Sequence, residues 1–391
     1  MNDWQMIDIQ PLDVVGVRDG RPFDVGGTVH ARSVFPPPPW TILGALRTLL
    51  IEQAGVDPAL YGNRADESAQ RRACIEKARE VAGTPDGLPP WMIGPVLLGC
   101  PGAAAGVDVT VGDSASTRAA LMFPQPLDLE VFAEAAGRRV KRLRAAPLPD
   151  GYAASLQPGL LMPVVPGGER PDGDTPAWFL TPRSMEAYLA GGLPSWTAPD
   201  RQRPVFLGDA RIGVALDSKV VREGYLYVRH TVALAPGYCL RVPVRGLTDR
   251  ARRALSDLRG VLRLGGDGHA ARVSVGRDVS LPRCGELVGR RAAIYFASPT
   301  VLDDISDERL SSLAGAPVRT VARMTRRGVS LGGWKMGIGP RVMKRLLPAG
   351  TVLHVEAEGA DWKRLHGMSV AADDEDRAAG LGFALVGRLE D

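Results

Sequence analysis

Between Arg309 and Val355 the chain carries nine Lys or Arg residues, at 309, 319, 323, 326, 327, 335, 341, 344 and 345, and no Asp or Glu. A run of that length without an acid suits a polyanion better than a solvated face, because each cation that meets a phosphate releases condensed counterions. A second run, Arg138 to Arg144, holds five bases in seven residues and reads equally well as an ordinary charged surface. Acids gather elsewhere, at Asp303-Asp304, Asp307-Glu308 and Asp373 to Asp376. The whole chain balances 48 Lys and Arg against 44 Asp and Glu, a net +4 whose sign alone argues nothing about nucleic acid.

Catalytic constellations are missing by the same reading. The five histidines, at 30, 230, 269, 354 and 366, never form His-x-x-x-His, and neither the phosphate-loop nor the Gly-x-Ser-x-Gly pattern occurs. The four cysteines, Cys74, Cys100, Cys239 and Cys284, are far apart, without a Cys-x-x-Cys pair or a histidine at ligand spacing. No cofactor, metal or disulfide scaffold is therefore expected. His30 lies in a loop where an imidazole could serve as general acid or base, but without a partner it reads as a contact or surface residue.

The elements that must position these residues alternate between strand and helix patterns. Met6 to Val17 reads as a strand, closed by the turn Arg18-Asp19-Gly20-Arg21-Pro22. Four prolines, Pro36 to Pro39, precede a helix capped by Thr41, with Ile42, Leu46, Leu49 and Leu50 on one face and Gly55 as its stop. A helix from Ser68 to Val81 and a buried strand from Trp91 to Gly99 follow. Residues 100–210 are rich in Gly and Pro and read as a surface insertion. In the second half, strands at Tyr225–Ala235 and Tyr238–Val244 precede a helix from Thr248 to Val261. Strands at Ala271–Val279 and Arg290–Ala297, a helix at Asp303–Leu313 and a strand at Val318–Met324 complete a βαββαβ order.

With 391 residues, two domains are expected. The fold class is α+β, with two ferredoxin-like (RRM-like) domains. Residues 1–210 form the first, with the insertion at about 100–210, and residues 211–391 the second, ending in the glycine-rich Ala379 to Gly387. That ending reads either as a backbone approach to phosphate or as an ordinary strand with a tight turn. The opening MNDWQMIDIQ is not a signal peptide and no apolar run reaches membrane-spanning length, so a cytoplasmic protein is expected.

The opening resembles one family. Arg18 to Phe23 (RDGRPF), Ala31 to Pro39 (ARSVFPPPP) and Gly44 to Thr48 (GALRT) form a long ordered motif similar to that of the third subunit of the type III-B CRISPR–Cas effector, the Cmr complex, in the RAMP superfamily. Weaker agreement extends to Leu264 to Gly268, Gly332-Gly333-Trp334, Leu347 to Gly350 and the terminal glycines. The resemblance implies a non-catalytic subunit that holds the repeat-derived 5′ tag of crRNA and anchors the large polymerase-like subunit to the filament of backbone subunits. A processing endoribonuclease using His30 and a protein-only scaffold are the competing readings.

On the RNA-binding reading, Arg18, Arg21 and Arg32, with Lys335, Arg341 and Lys344, neutralise tag phosphates, and Gly380, Gly382 and Gly387 bring the backbone close. His30 is a further contact. The alternative for the three opening arginines is a clamp on Asp19 or Asp24. Trp334 either stacks on a base or is buried, and Arg47, inside a helix, reads as structural. The acid-free stretch is expected to lie beside the opening turn.

Overall fold

The computed structural model describes residues 4–20, 30–100, 120–134, 137–148, 150, 159–169, 171, 179–194, 205–256, 261–265, 268–276, 281–284, 287 and 289–389. The chain divides into two compact units, each assembled from three separated stretches. The first comprises Met1–Gly99, Gln202–Val279 and Val329–Arg345; the second comprises Cys100–Arg201, Ser280–Gly328 and Leu346–Asp391. A single boundary near residue 210 does not describe this division.

In the first unit the strand Gln5–Pro11 runs antiparallel between two others. Ile7 lies opposite Val242 of Cys239–Arg245, and Ile9 opposite Val273 of His269–Val275. Leu97–Cys100 pairs outside Cys239–Arg245, and Val261–Leu264 outside His269–Val275. Met6, Ile7 and Ile9 are buried, while Asp8 reaches Arg241 at 2.7 Å. The first strand stops at Pro11 rather than Val17, and Val15 makes only an isolated bridge to Val232.

Helix Pro39–Gln53 starts two residues ahead of Thr41. Proline suits that position because its preset φ is helical and its missing N–H is not needed in the first turn. Its face of Ile42, Leu46, Leu49 and Leu50 is buried as the spacing predicts, and Gly55 beyond its end has φ +65°. Arg47 is structural here: its Nε donates to the carbonyl of Ala82 at 2.8 Å. Helix Ala69–Ala82 is capped by Ser68, whose hydroxyl accepts from the Arg71 N–H at 3.1 Å. The expected strand Trp91–Gly99 is split into Met92–Ile93 and Leu97–Cys100.

A long hairpin also belongs to this unit. Phe206–Asp217 pairs with Val220–Leu234 through Ser218 and Lys219, both at positive φ, as the twist of a tight two-residue connection requires. His30–Ala31 lies parallel beside Val220–Leu234, with His30 opposite Val228.

The second unit repeats the arrangement. Strand Arg291–Phe296 lies between Val352–Ala357 and Phe383–Arg388, with Val318–Met324 outside the former and Met368–Ser369 outside the latter. Helix Asp307–Ala314 is capped by Ser306 and closed by the left-handed Gly315, and helix Asp374–Ala378 is capped by Asp373. Ile294, Phe296, Leu310, Leu353, Val355 and Val386 share its core.

Both units are α+β with antiparallel sheets, and both follow one permutation. Counting the main strands along the chain within each, and leaving aside the edge strands Val261–Leu264 and Met368–Ser369, the order across the sheet is second, third, first, fourth, with helices between first and second and between third and fourth. The continuous βαββαβ unit expected between Tyr225 and Met324 is not one sheet. Its elements through Val275 belong to the first unit, where Gln5–Pro11 takes the central place, and those from Arg291 onward belong to the second. Strand periodicity reports burial, not partner, so it could not separate the two.

Residues 100–210 are not one surface insertion in their described parts. Ala120–Pro124 pairs with Phe179–Leu180, Leu129–Glu134 with Gly137–Arg142, and Pro182–Leu189 is a helix.

Candidate RNA interface

Three chain segments converge in the first unit. The Gly20 amide donates to the Ser330 carbonyl at 3.3 Å, which joins the opening turn to Val329–Arg345. A Cβ on Gly20 would run into Met343, and one on Gly62 into Met336, so methionine side chains occupy the space that both glycines leave. Gly337, at φ +72°, approaches the Gly62 carbonyl in the same way. The segment folds on itself as a short ribbon in which Trp334 lies opposite Pro340 and Lys335 opposite Gly339. The Arg341 N–H closes onto the Gly333 carbonyl at 2.8 Å.

Arg18 makes an isolated bridge to Ser33, and the Asp19 N–H donates to the Arg32 carbonyl at 2.9 Å; Arg18 and Arg32 are both exposed. Arg21 lies outside the described residues, as does Asp24, the alternative clamp partner. Lys335, Arg341 and Lys344 are partly exposed. Trp334 is 73% exposed, which removes the buried reading.

The acid-free stretch is otherwise divided. Arg309 donates to the carbonyls of Val370 and Ala371 at 3.0 and 2.9 Å, and Arg319 pairs with Glu356. Arg323 is half buried, and burial holds its guanidinium below its usual pKa, with Asp307 opposing. These three serve the second unit's fold. The basic run at 138–144 does the same: Lys141 meets Glu169 at 2.7 Å, and Arg142 lies over the Tyr188 ring at 4.6 Å. Arg142 also reaches Asp128, a fully buried carboxylate that accepts from the Tyr188 hydroxyl at 2.8 Å and stands 3.4 Å from His354.

The terminal glycines are buried in the second unit, whereas Arg18, Arg32, Lys335, Arg341 and Lys344 belong to the first. The amides of Gly380, Leu381 and Gly382 donate to the carbonyls of Arg377, Asp376 and Pro299 at 2.9–3.0 Å. Gly387 pairs with Ala293 inside the sheet, and a Cβ there would meet Leu189. With their donors already used, the glycines close a turn and admit a helix; they do not offer N–H groups to a phosphate.

A family model described as CRISPR-associated protein (Cas_Cmr3) matches residues 7–389. The chain belongs to this family. It is accordingly a Cmr subunit of type III CRISPR–Cas. No curated protein matches the Cas_Cmr3 chain. Among solved structures it is similar to a chain of the type III-B Cmr-beta complex bound to cognate target RNA and AMPPnP. The identity is 13% over 89% of this chain and 86% of that one, with a TM-score of 0.43. It is also similar to a chain of the Csm3–Csm4 subcomplex of the type III-A interference complex, at 11% identity over 91% and 94%, with a TM-score of 0.39. Likeness this slight places no residue.

One residue of the candidate interface has no signal in the sequence. His230, on the long hairpin, has its Nε2 3.3 Å from Nδ1 of His30, with the rings stacked at 5.5 Å. Nothing local in the sequence marks His230, because the contact depends on the parallel pairing of His30–Ala31 with Val228 and Arg229. The pair gives His30 a ring partner, where its own loop offered none. Among the described residues no three His, Cys, Asp or Glu side chains converge as a metal site, and no helix is long and apolar enough to cross a membrane.

Proposed function

We propose that this Cmr subunit is a non-catalytic, cytoplasmic RNA cap. It holds the 5′ tag of crRNA and anchors the large polymerase-like subunit to the filament of backbone subunits. The observation that carries the reading is the junction of Val329–Arg345, acid-free and bearing Lys335, Arg341 and Lys344, with the turn that bears Arg18 and is hydrogen-bonded to Arg32. Guanidinium forks and ammonium groups so gathered neutralise successive phosphates of a single strand. The shared strand permutation of the two units supports reading both as ferredoxin-like, and sheets of that type are common platforms for single-stranded RNA.

The test is binding of tag-bearing RNA across a salt series. Replacing Lys335, Arg341 and Lys344 with Ala reduces the slope of log affinity against log salt by about 2, at about 0.7 per lost contact. An unchanged slope refutes the electrostatic assignment. Incubating the protein with repeat RNA without metal leaves the RNA intact on this reading; cleavage abolished by His30→Ala would establish the nuclease instead.

A further inference from the structure

We propose that Trp334 is a stacking platform for one unpaired nucleobase of single-stranded RNA, an inference that rests on the RNA-binding reading above and names how a base, rather than a phosphate, is held. A tryptophan that leaves 73% of its surface in water forfeits most of the burial free energy available to its ring. Its neighbours Ile338 and Val342 are also exposed. The segment is nonetheless anchored. Ser330 accepts from the Gly20 amide, Met336 fills the space at Gly62, Met343 fills that at Gly20 and Gly332, and the ribbon closes through Arg341 and Gly333. Trp334 is thus presented by a ribbon fixed at several points, so little ordering cost remains when a ligand arrives.

Charge decides the occupant. From Val329 to Arg345 the segment has four Lys or Arg residues and no acid, which matches a polyanion threaded past an aromatic face. A π-face accepts any base, provided that the base is not already paired and stacked within a duplex. The site therefore favours single strands and reads no sequence by itself.

The experiment measures affinity of the full chain for single-stranded RNA by fluorescence anisotropy, with Trp334→Ala and Trp334→Phe, across a salt series. Trp334→Ala weakens binding about 5- to 150-fold without changing the salt slope, and Trp334→Phe restores most of the loss. An RNA carrying one abasic residue, moved position by position, loses affinity for the wild type at one register and loses none for Trp334→Ala. Equal binding by wild type and Trp334→Ala overturns the proposal while leaving the phosphate reading intact. So does a Trp334→Ala chain that keeps RNA but no longer joins the other subunits on reconstitution, which would make the indole a protein contact. Absence of single-strand binding by the wild type overturns both readings.

Discussion

Gly20 and Ser330 meet backbone to backbone, the amide of the first donating to the carbonyl of the second at 3.3 Å. Met343 closes over the same glycine, so there is no space for a side chain. Gly20→Val should force Val329–Arg345 off the opening turn at a cost of about 1–3 kcal/mol. RNA affinity falls, and limited proteolysis cuts within the released segment while the remaining core resists. Unaltered protection would mean that the junction contributes nothing to holding the ribbon.

Arg309 and Lys335 share one acid-free stretch but should answer to different assays. Arg309→Ala leaves the Val370 carbonyl without its guanidinium and the Ala371 carbonyl with that of Arg377 alone, costing about 1–3 kcal/mol in urea unfolding. The salt slope of RNA binding stays that of the wild type. Lys335→Ala should lower that slope.

Asp128 is fully buried among Tyr188, Arg142 and His354. Burial first, and then the charge of Asp128, push the Tyr188 hydroxyl well above its usual pKa, so it remains a donor at any working pH. Asp128→Ala removes the acceptor and the counter-charge together. Unfolding by urea should show a loss of about 3–5 kcal/mol, as for a buried pair deprived of one partner. Tyr188→Phe, which removes only one donor, should cost less.

His366 gives the second unit a dependence on acid. Its Nε2 donates to the Pro282 carbonyl at 2.8 Å, its Nδ1 accepts from the Val386 N–H at 3.1 Å, and burial lowers its pKa. The unfolded chain then takes up the proton first as pH falls, so stability is full above the ordinary histidine value near 6.5 and declines below it. Urea midpoints compared at neutral and mildly acidic pH should show this decline, and His366→Gln should flatten it.

Local features were legible wherever a short stretch of chain decides the outcome. Ser68 caps its helix, Gly55 ends another, and the apolar face of Pro39–Gln53 is buried as spaced. The α+β class followed from the same signals. What periodicity could not supply was partnership. The strand at Cys239–Arg245 looks the same whether its neighbour is Gln5–Pro11 or a strand further on, and the basic stretch gives no sign that it divides between two units. The glycines at 380 and 382 were visible as turn formers, but the carbonyls that claim their amides come from Arg377 and from the distant Pro299. His230 stayed hidden because its contact with His30 exists only across a parallel pairing.

The interleaving of the chain also sets a schedule for its synthesis. Gln5–Pro11 is made well before both strands that flank it, Cys239–Arg245 and His269–Val275. At about 5–20 residues per second this central strand waits on the order of 10–50 s for its neighbours. The second unit waits as well, since Phe383–Arg388 is made well after Arg291–Phe296, the strand it joins. A nascent chain of this design keeps apolar strand faces exposed until the strands that cover them emerge.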